Sequence, residues 1–373
     1  MTDAEIAIAG VVPRAVVTPR DVDELAAVVT ALHAERKAFA FVGGGTELEL
    51  GYAPRALDTV VRTTALRRVV DYAPEDQTIT VEAGITFAEL DRVLAEHGQM
   101  LPLDVPDRER TTVGGALATN AYGPRRQRYG TAKDLIVGVR LVRPDGVLVR
   151  GGGKVVKNVA GFDLPKLAVG SLGTLFGIVE ATVRVYPIPA ARTRLAFAMP
   201  SQAAADRAVL AFVARRLEPE ALVSHHEQTI VVDFAGTASG VAEQSAVAEL
   251  VLREFGGTPT EMPTVRSGVW RMRVTVPPAG TAPEGGRWEP NRSPYTLVYP
   301  LLGVLWGISD GPFSIDVLHR MGTTAVLHAL PLASRPHYDV WGPPPPSFPL
   351  MRALKATFDP HGLCNPGRFV GGL

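Results

Sequence analysis

At 373 residues the chain exceeds what one hydrophobic core commonly serves, so two packed domains are expected. Hydrophobic residues make up 46% and charged residues 20%, a globular balance that argues against long disordered stretches. Lys plus Arg number 38 and Asp plus Glu 38, so the formal net charge is zero and no global field gathers DNA, RNA or an anionic membrane.

In chain order, Thr18-Pro19 opens a predicted helix in which Val22, Leu25, Val29 and Leu32 recur at helical spacing. Residues 38–42 read as a buried strand, broken abruptly by Gly43-Gly44-Gly45-Thr46. Residues 78–83 alternate as a half-buried strand. Thr86 and Glu89 then form a capping-box pattern ahead of Phe87, Leu90, Val93 and Leu94, with Gly98 as the stop. A second glycine-rich loop runs from Thr111 through Gly114-Gly115 to Gly123, followed by the basic loop of Arg125, Arg126 and Arg128. Residues 134–142 and 147–150 pair as strands across Pro144-Asp145-Gly146, and residues 178–186 close this part as another strand.

Beyond Pro187 the texture changes. Strands over 194–199 and 222–234 and helices over 201–216 and 242–255 predict a smaller α+β domain. Residues 277–294 read as an exposed Pro/Gly-rich loop facing solvent or a partner. Residues 343–346 read as a stiff polyproline spacer into a last helix over 349–358. The single cysteine, Cys364, cannot form an internal disulfide, nor by itself hold zinc or an iron–sulfur cluster, and is assigned a structural role. The acidic start lacks a secretory apolar core, and the most apolar stretch, 295–308, is broken by Pro300 and shorter than the roughly 20 residues that span a bilayer. A cytoplasmic location without a transmembrane segment is expected.

The two glycine loops carry the chemistry. Backbone amides neutralise a pyrophosphate when the chain can approach closely, and glycine permits both that approach and the positive φ angles that aim successive N–H groups inward. Val42-Gly43-Gly44-Gly45-Thr46-Glu47 and Thr112-Val113-Gly114-Gly115 share this logic, and two such loops can clasp one long cofactor from both sides. The first loop is not a Rossmann fingerprint and no P-loop occurs, which disfavours a nicotinamide dehydrogenase or a nucleotide triphosphatase.

The run from Phe41 to Glu47 resembles the first FAD loop of the vanillyl-alcohol-oxidase-type flavoproteins, which carry the PCMH-type FAD-binding domain. Thr112-Val113-Gly114-Gly115, the Asn120 to Arg126 stretch, Arg128-Tyr129-Gly130 and Asp134 to Gly138 resemble its second half in order and spacing. Lys157 to Leu164, Gly170 to Thr174 and Gly177-Ile178-Val179 are similar to the branch of glycolate oxidase and D-lactate dehydrogenase subunits, and Asp359 to Arg368 to that branch's C-terminal signature. The resemblance covers about residues 15–190 and 348–370.

It implies an α+β fold: a PCMH-type FAD-binding domain of two subdomains over 1–190, a smaller α+β cap for substrate or partner over 191–340, and a segment over 341–373 packing back on the FAD domain. It implies non-covalent FAD, since no His stands at 43–47. Gly43, Gly44, Gly45, Thr46 and Glu47 would meet the pyrophosphate. Thr112, Val113, Gly114 and Gly115 would lie beside pyrophosphate and flavin. Asn120 and Gly123 would flank the ring system, with Arg128, Tyr129 and Gly130 nearby. Ile178 and Val179 would offer backbone groups to the adenine or flavin edge, and Pro102 would lie along the cofactor.

The implied chemistry is oxidation of a 2-hydroxy acid to a 2-oxo acid, as in the FAD-binding subunit of a glycolate oxidase complex. A second flavin subunit and an iron–sulfur subunit would be its partners, which makes it peripheral to the inner membrane. A self-sufficient FAD-dependent hydroxy-acid or polyol oxidase and a non-catalytic electron-relay subunit stay open as alternatives. Lys157, placed near the flavin, and Arg271 and Arg273, alternating on a strand, are the candidates for chemistry. His225 and His226 face opposite sides of a strand and His319 and His328 are isolated, so no metal site is expected.

Overall fold

A computed structural model describes residues 6–153, 162–225, 228–264, 268, 270–275, 295–312 and 324–373. The chain divides into two compact units: Met1–Gly123, Tyr129–Ile188 and Pro343–Leu373 form one, Pro124–Arg128 and Pro189–Gly342 the other.

The first unit begins with a small parallel sheet. Strand Thr59–Arg62 lies between Ala15–Val17 and Phe39–Val42, parallel to both. Parallel neighbours need a crossover, and helix Val22–Ala34 supplies it. Asp21, rather than Thr18, caps that helix, its Oδ1 accepting from the Glu24 amide at 2.8 Å. The spaced residues Val22, Leu25, Val29 and Leu32 are buried with Phe39, Val61 and Val179.

An antiparallel five-stranded sheet follows, in the order Val69–Ala73, Thr78–Glu82, Gly177–Arg184, Ile136–Val142 and Leu148–Gly152. Its central strand arrives about a hundred residues after the strand it pairs with, Thr78 opposite Arg184 and Glu82 opposite Glu180. Helix Phe87–Ala95 has the expected reciprocal cap between Thr86 and Glu89 and buries Phe87, Leu90 and Leu94. Two readings are corrected. Residues 132–135, expected in part as strand, form the short helix Ala132–Leu135, because Thr131 and Asp134 make a capping box. The second glycine segment is helical, Val113–Thr119, with Thr112 as its N-cap.

The C-terminal helix, Phe348–Phe358, sets Phe358 edge-to-face on Phe176 at 5.6 Å. The chain then runs beside strand Phe39–Val42: the Phe39 amide donates to Leu363 O at 2.8 Å and the Asn365 amide to Phe39 O at 2.6 Å. Buried Lys355 holds this return. Its Nζ donates to Asp359 Oδ2 at 2.6 Å, Thr174 O at 2.6 Å and Cys364 O at 2.9 Å. Asp359 in turn accepts from the amides of Leu363 and Cys364.

The second unit is an antiparallel eight-stranded sheet in the order Thr258–Pro259, Ala191–Ala198, Thr229–Gly236, Ala221–His225, Tyr295–Tyr299, Val304–Ser309, Trp270–Thr275 and Thr324–Ala329. Helices Gln202–Ala214 and Ala238–Glu254 pack against it around Phe197, Phe212, Phe234 and Leu252. The second helix begins a turn earlier than expected, because Thr237 caps it. The loop at 277–294 lies outside the described residues.

Replacing Lys355 by Met strands the Asp359 carboxylate in the interior, and removing one partner of a buried pair costs about 3–5 kcal/mol. Urea unfolding followed by circular dichroism is expected to show Lys355→Met destabilised by that amount. A midpoint equal to the parent's would refute the assignment.

Candidate functional site

Strand Phe39–Val42 delivers its chain directly into Gly43, Gly44 and Gly45, and the reason for glycine is visible in what faces it. A Cβ on Gly44 would stand 1.6 Å from the Arg110 carbonyl oxygen, and one on Gly43 2.1 Å from Thr112 Oγ1. The first loop therefore lies flat against residues 110–112, where Thr111 Oγ1 also donates to Thr46 Oγ1 at 3.2 Å. Among the described residues the amides of Gly43, Gly44, Gly45 and Thr46 have no protein acceptor.

The glycines of the second segment have a different task. The Gly114 amide donates to Ala83 O at 2.8 Å and the Gly115 amide to Thr112 Oγ1 at 3.2 Å, so both are spent. A Cβ at Gly114 would meet that of Ala83 at 2.7 Å. Glycine here lets the helix start lie on strand end Ala83, which brings Gly115, Ala118 and Thr119 to the wall of a cleft.

That cleft holds about 820 Å³ of empty space, open to solvent. The first loop, residues 42–47, forms one wall and Thr112, Gly114, Gly115, Ala118 and Thr119 another. Leu172, Gly173, Phe176, Gly177 and Ile178 form a third, and Asn365 and Arg368 enter from the C-terminal return. Gly177 is held small by Phe41, whose ring atoms would lie 2.7–2.8 Å from a Cβ there. Arg368 spans back to the first loop's far end, donating through Nη1 to Tyr52 O and through Nη2 to Leu48 O and Leu50 O. Asn365 Oδ1 is buried and has no partner.

These features fit a flavin dinucleotide. Four unspent amides in one glycine loop suit a pyrophosphate, and an elongated cleft with a buried unmatched acceptor suits the sugar and base groups. Among the expected contacts, Val42, Gly43, Gly44, Gly45, Thr46, Glu47, Thr112, Gly114, Gly115 and Ile178 line the cleft. Others lie elsewhere in the unit. Val113 and Val179 are core side chains, Tyr129 stacks on Tyr186 at 5.2 Å, and Gly123 packs on Asp104. Pro102 is buried outside the cleft lining, Gly130 turns with φ +81° beside Asp134, and Asn120 lines a separate cavity, of about 880 Å³ of empty space, with Lys133, Lys166 and Ser171.

Arg128 belongs to the second unit, where its Nη1 donates to Ala235 O at 2.8 Å. Arg271 and Arg273 also lie in that unit, on strand Trp270–Thr275, alternating with buried Met272 and Val274. Their cross-strand neighbours are Ile308 and Trp306, and Trp306 meets His328 edge-to-face at 4.7 Å. Lys157, His226 and His319 lie outside the described residues. Sequence reading missed Leu172, Gly173, Phe176, Asn365 and Arg368 as cleft residues. The recurrence of glycine at 170, 173 and 177 and the closing Asn-Pro-Gly-Arg run were the only signals for them.

Two outcomes follow from this geometry. Gly44→Ala drives a methyl into the Arg110 carbonyl, so the variant should lose FAD binding at least tenfold when titrated by flavin fluorescence; unchanged affinity would contradict the packing. Burial pushes the Cys364 thiol far up, so it stays protonated throughout the neutral and mildly alkaline range. Iodoacetamide should label Cys364 only after unfolding, and native labelling at pH 8 would count against this.

Comparison with known proteins agrees with the geometry. Residues 13–152 match the model described as FAD binding domain, and residues 344–369 that of the C-terminal domain of FAD linked oxidases. The chain is 35% identical to D-lactate dehydrogenase of Archaeoglobus fulgidus, across 96% of this chain and 93% of that protein. It is 31% identical to glycolate oxidase subunit GlcD of Bacillus subtilis over 65% of this chain, a match spanning only 52% of that relative's length. With glycolate oxidase subunit GlcE of Escherichia coli it shares 28% identity over 82% of this chain and 86% of that one. A solved alkyldihydroxyacetonephosphate synthase superposes with a TM-score of 0.71 at 18% identity, over 94% of this chain and 75% of the other, a likeness of fold. The chain belongs to the PCMH-type family of FAD-linked oxidases, as an FAD-dependent oxidoreductase in the branch of D-lactate dehydrogenases and glycolate oxidase subunits.

Proposed function

We propose that this chain is the FAD-binding subunit of a glycolate oxidase-like complex, oxidising a 2-hydroxy acid to the 2-oxo acid and passing the electrons onward. The observation that carries the reading is the match to GlcE, which takes in similar shares of both chains and so relates two proteins of like size. The 417-position alignment with the Archaeoglobus D-lactate dehydrogenase, by contrast, takes in 96% of only 373 residues, so that relative has residues this chain lacks.

Non-covalent FAD in the cleft supplies a hydride acceptor for the α-carbon of the acid. The residues of this chain have simpler tasks. The amides of Gly43, Gly44, Gly45 and Thr46 hold the pyrophosphate, and Leu172, Gly173 and Phe176 enclose the cofactor. Guanidinium groups recognise a carboxylate through paired hydrogen bonds, so Arg271 and Arg273 are the candidates for binding the acid. One cysteine cannot ligate an iron–sulfur cluster, so in this reading the electrons pass from the flavin to a centre on another chain. A partner flavin subunit and an iron–sulfur subunit fit that need. Among the described residues no helix is long and apolar enough to cross a membrane. The reading places the chain in the cytoplasm, reaching the inner membrane through its partners.

The similarity to D-lactate dehydrogenase favours a second reading, a self-sufficient dehydrogenase. An anaerobic absorption spectrum of the purified chain with glycolate or D-lactate separates them. The subunit reading expects flavin bands that persist in the isolated chain and bleach once partners are added. Bleaching of the isolated chain would establish the second reading and overturn the first.

A further inference from the structure

The C-terminal signature enters the cofactor cleft at one side chain whose hydrogen bonding is half satisfied. Asn365 is 5% exposed. Its Nδ2 donates to Leu172 O at 2.6 Å, and this fixes which way the amide faces. Its Oδ1 is buried and has no protein donor, and Asn365 is among the residues that line the cleft. A buried acceptor left unmatched is costly, and native structures rarely keep one without a partner such as water or a ligand.

From this we infer that Asn365 is a direct ligand of FAD, its Oδ1 accepting a hydrogen bond from a donor group of the cofactor. The inference concerns the cofactor already assigned to the cleft and holds whichever substrate the protein oxidises. The pyrophosphate is ruled out as the partner, since it offers only acceptors. The donors on FAD are the adenine amino group, the ribose and ribityl hydroxyls and the flavin N3–H, and one of these must meet Oδ1. The division of work is chemically consistent. Amides of the first loop face the anionic part, and an amide oxygen of the C-terminal return faces a neutral donor.

The position of Asn365 is built for this task from several sides. Its own amide donates to Phe39 O, its φ is +46°, and the preceding Cys364 carbonyl is held by Lys355 Nζ. Lys355 also holds Thr174 O, and Cys364 Sγ donates to Gly173 O at 3.0 Å, so the strip carrying Asn365 and the 172–174 wall move as one body. Three residues on, Arg368 fastens the same strip to residues 48–52 behind the first loop. Such fixation lets a single acceptor contribute to affinity without an ordering cost on binding.

The test measures FAD binding by the full-length apo chain, using flavin fluorescence and calorimetry, with no turnover involved. Asn365→Gly is the variant of choice, since glycine accepts the positive φ and removes only the side chain. Its affinity for FAD is expected to fall about tenfold. Alongside it, the parent is titrated with FAD analogues that each lack one donor: hypoxanthine in place of adenine, singly deoxygenated ribose or ribityl chains, and N3-methyl flavin. One analogue should bind the parent about tenfold more weakly than FAD and bind Asn365→Gly no more weakly than FAD does, the signature of a removed pairwise contact. Analogues that all bind the parent as FAD does would overturn the inference even if the variant misfolds. So would a variant affinity within twofold of the parent's. Absence of FAD binding by the parent would instead overturn the cofactor assignment itself.

Discussion

The approach of one backbone to another at Gly43 and Gly44 is the constraint on which the cofactor unit depends. With the Arg110 carbonyl 1.6 Å from where a Cβ would stand, no side chain fits at position 44. The contact brings the end of strand Phe39–Val42 against the start of helix Val113–Thr119. It also leaves the amides of residues 43–46, which line the cleft, without protein acceptors. Close packing and a supply of donors suited to an anion thus go together in this loop, because the geometry that forbids a side chain also leaves the donors unspent. In the helical segment the two are separated: Gly114 and Gly115 keep the close approach while their amides stay inside the protein.

The second dependence is long-range. The strand that completes the five-stranded sheet, Gly177–Arg184, follows its partner Thr78–Glu82 by about a hundred residues, and the C-terminal return pairs residue 364 with residue 39. Contacts of such separation form late, since the loop-closure cost precedes the gain. The cleft therefore comes into being only when nearly all of the chain is in place. Lys355 is the clearest device for holding that closure. A lone ammonium in the interior would be prohibitive, yet here one carboxylate and two carbonyls take all three of its protons. The carboxylate spends its remaining capacity on the amides of Leu363 and Cys364, so the network is complete within itself.

Much of this was legible in the sequence where the signal is local. The glycine run after a strand, the capping box at Thr86 and the apolar spacing from Val22 to Leu32 each report a structure made within a dozen residues. Thr112 was read as part of a loop because Gly114 and Gly115 suppress helix propensity, and tertiary contact with Ala83 outweighs that. The basic run is less legible. The resemblance placed Arg128 near the cofactor, and residues 124–128 fall within the second unit, where Gln127 and Arg128 donate to the carbonyls of Pro219 and Ala235. Asn365 and Leu172 meet across 193 residues, and no spacing rule in a single sequence reports such a pair.

A chain of zero net charge has no global field to draw in a doubly anionic dinucleotide, so binding rests on local groups such as those that line the cleft. Among the described residues that line it, Arg368 turns its Nη donors to the carbonyls of Leu48, Tyr52 and Leu50, so its charge is fixed beside the first loop by a scaffold of backbone. Held in this way, a cation adds positive potential to the cleft that it lines. Free lysines in the same place would bind anions of many shapes. Fixed amides, one immobilised guanidinium and one oriented carboxamide select by the order of donors and acceptors along the ligand. Backbone geometry in the first loop and side-chain fixation in the C-terminal signature are thus both suited to a dinucleotide.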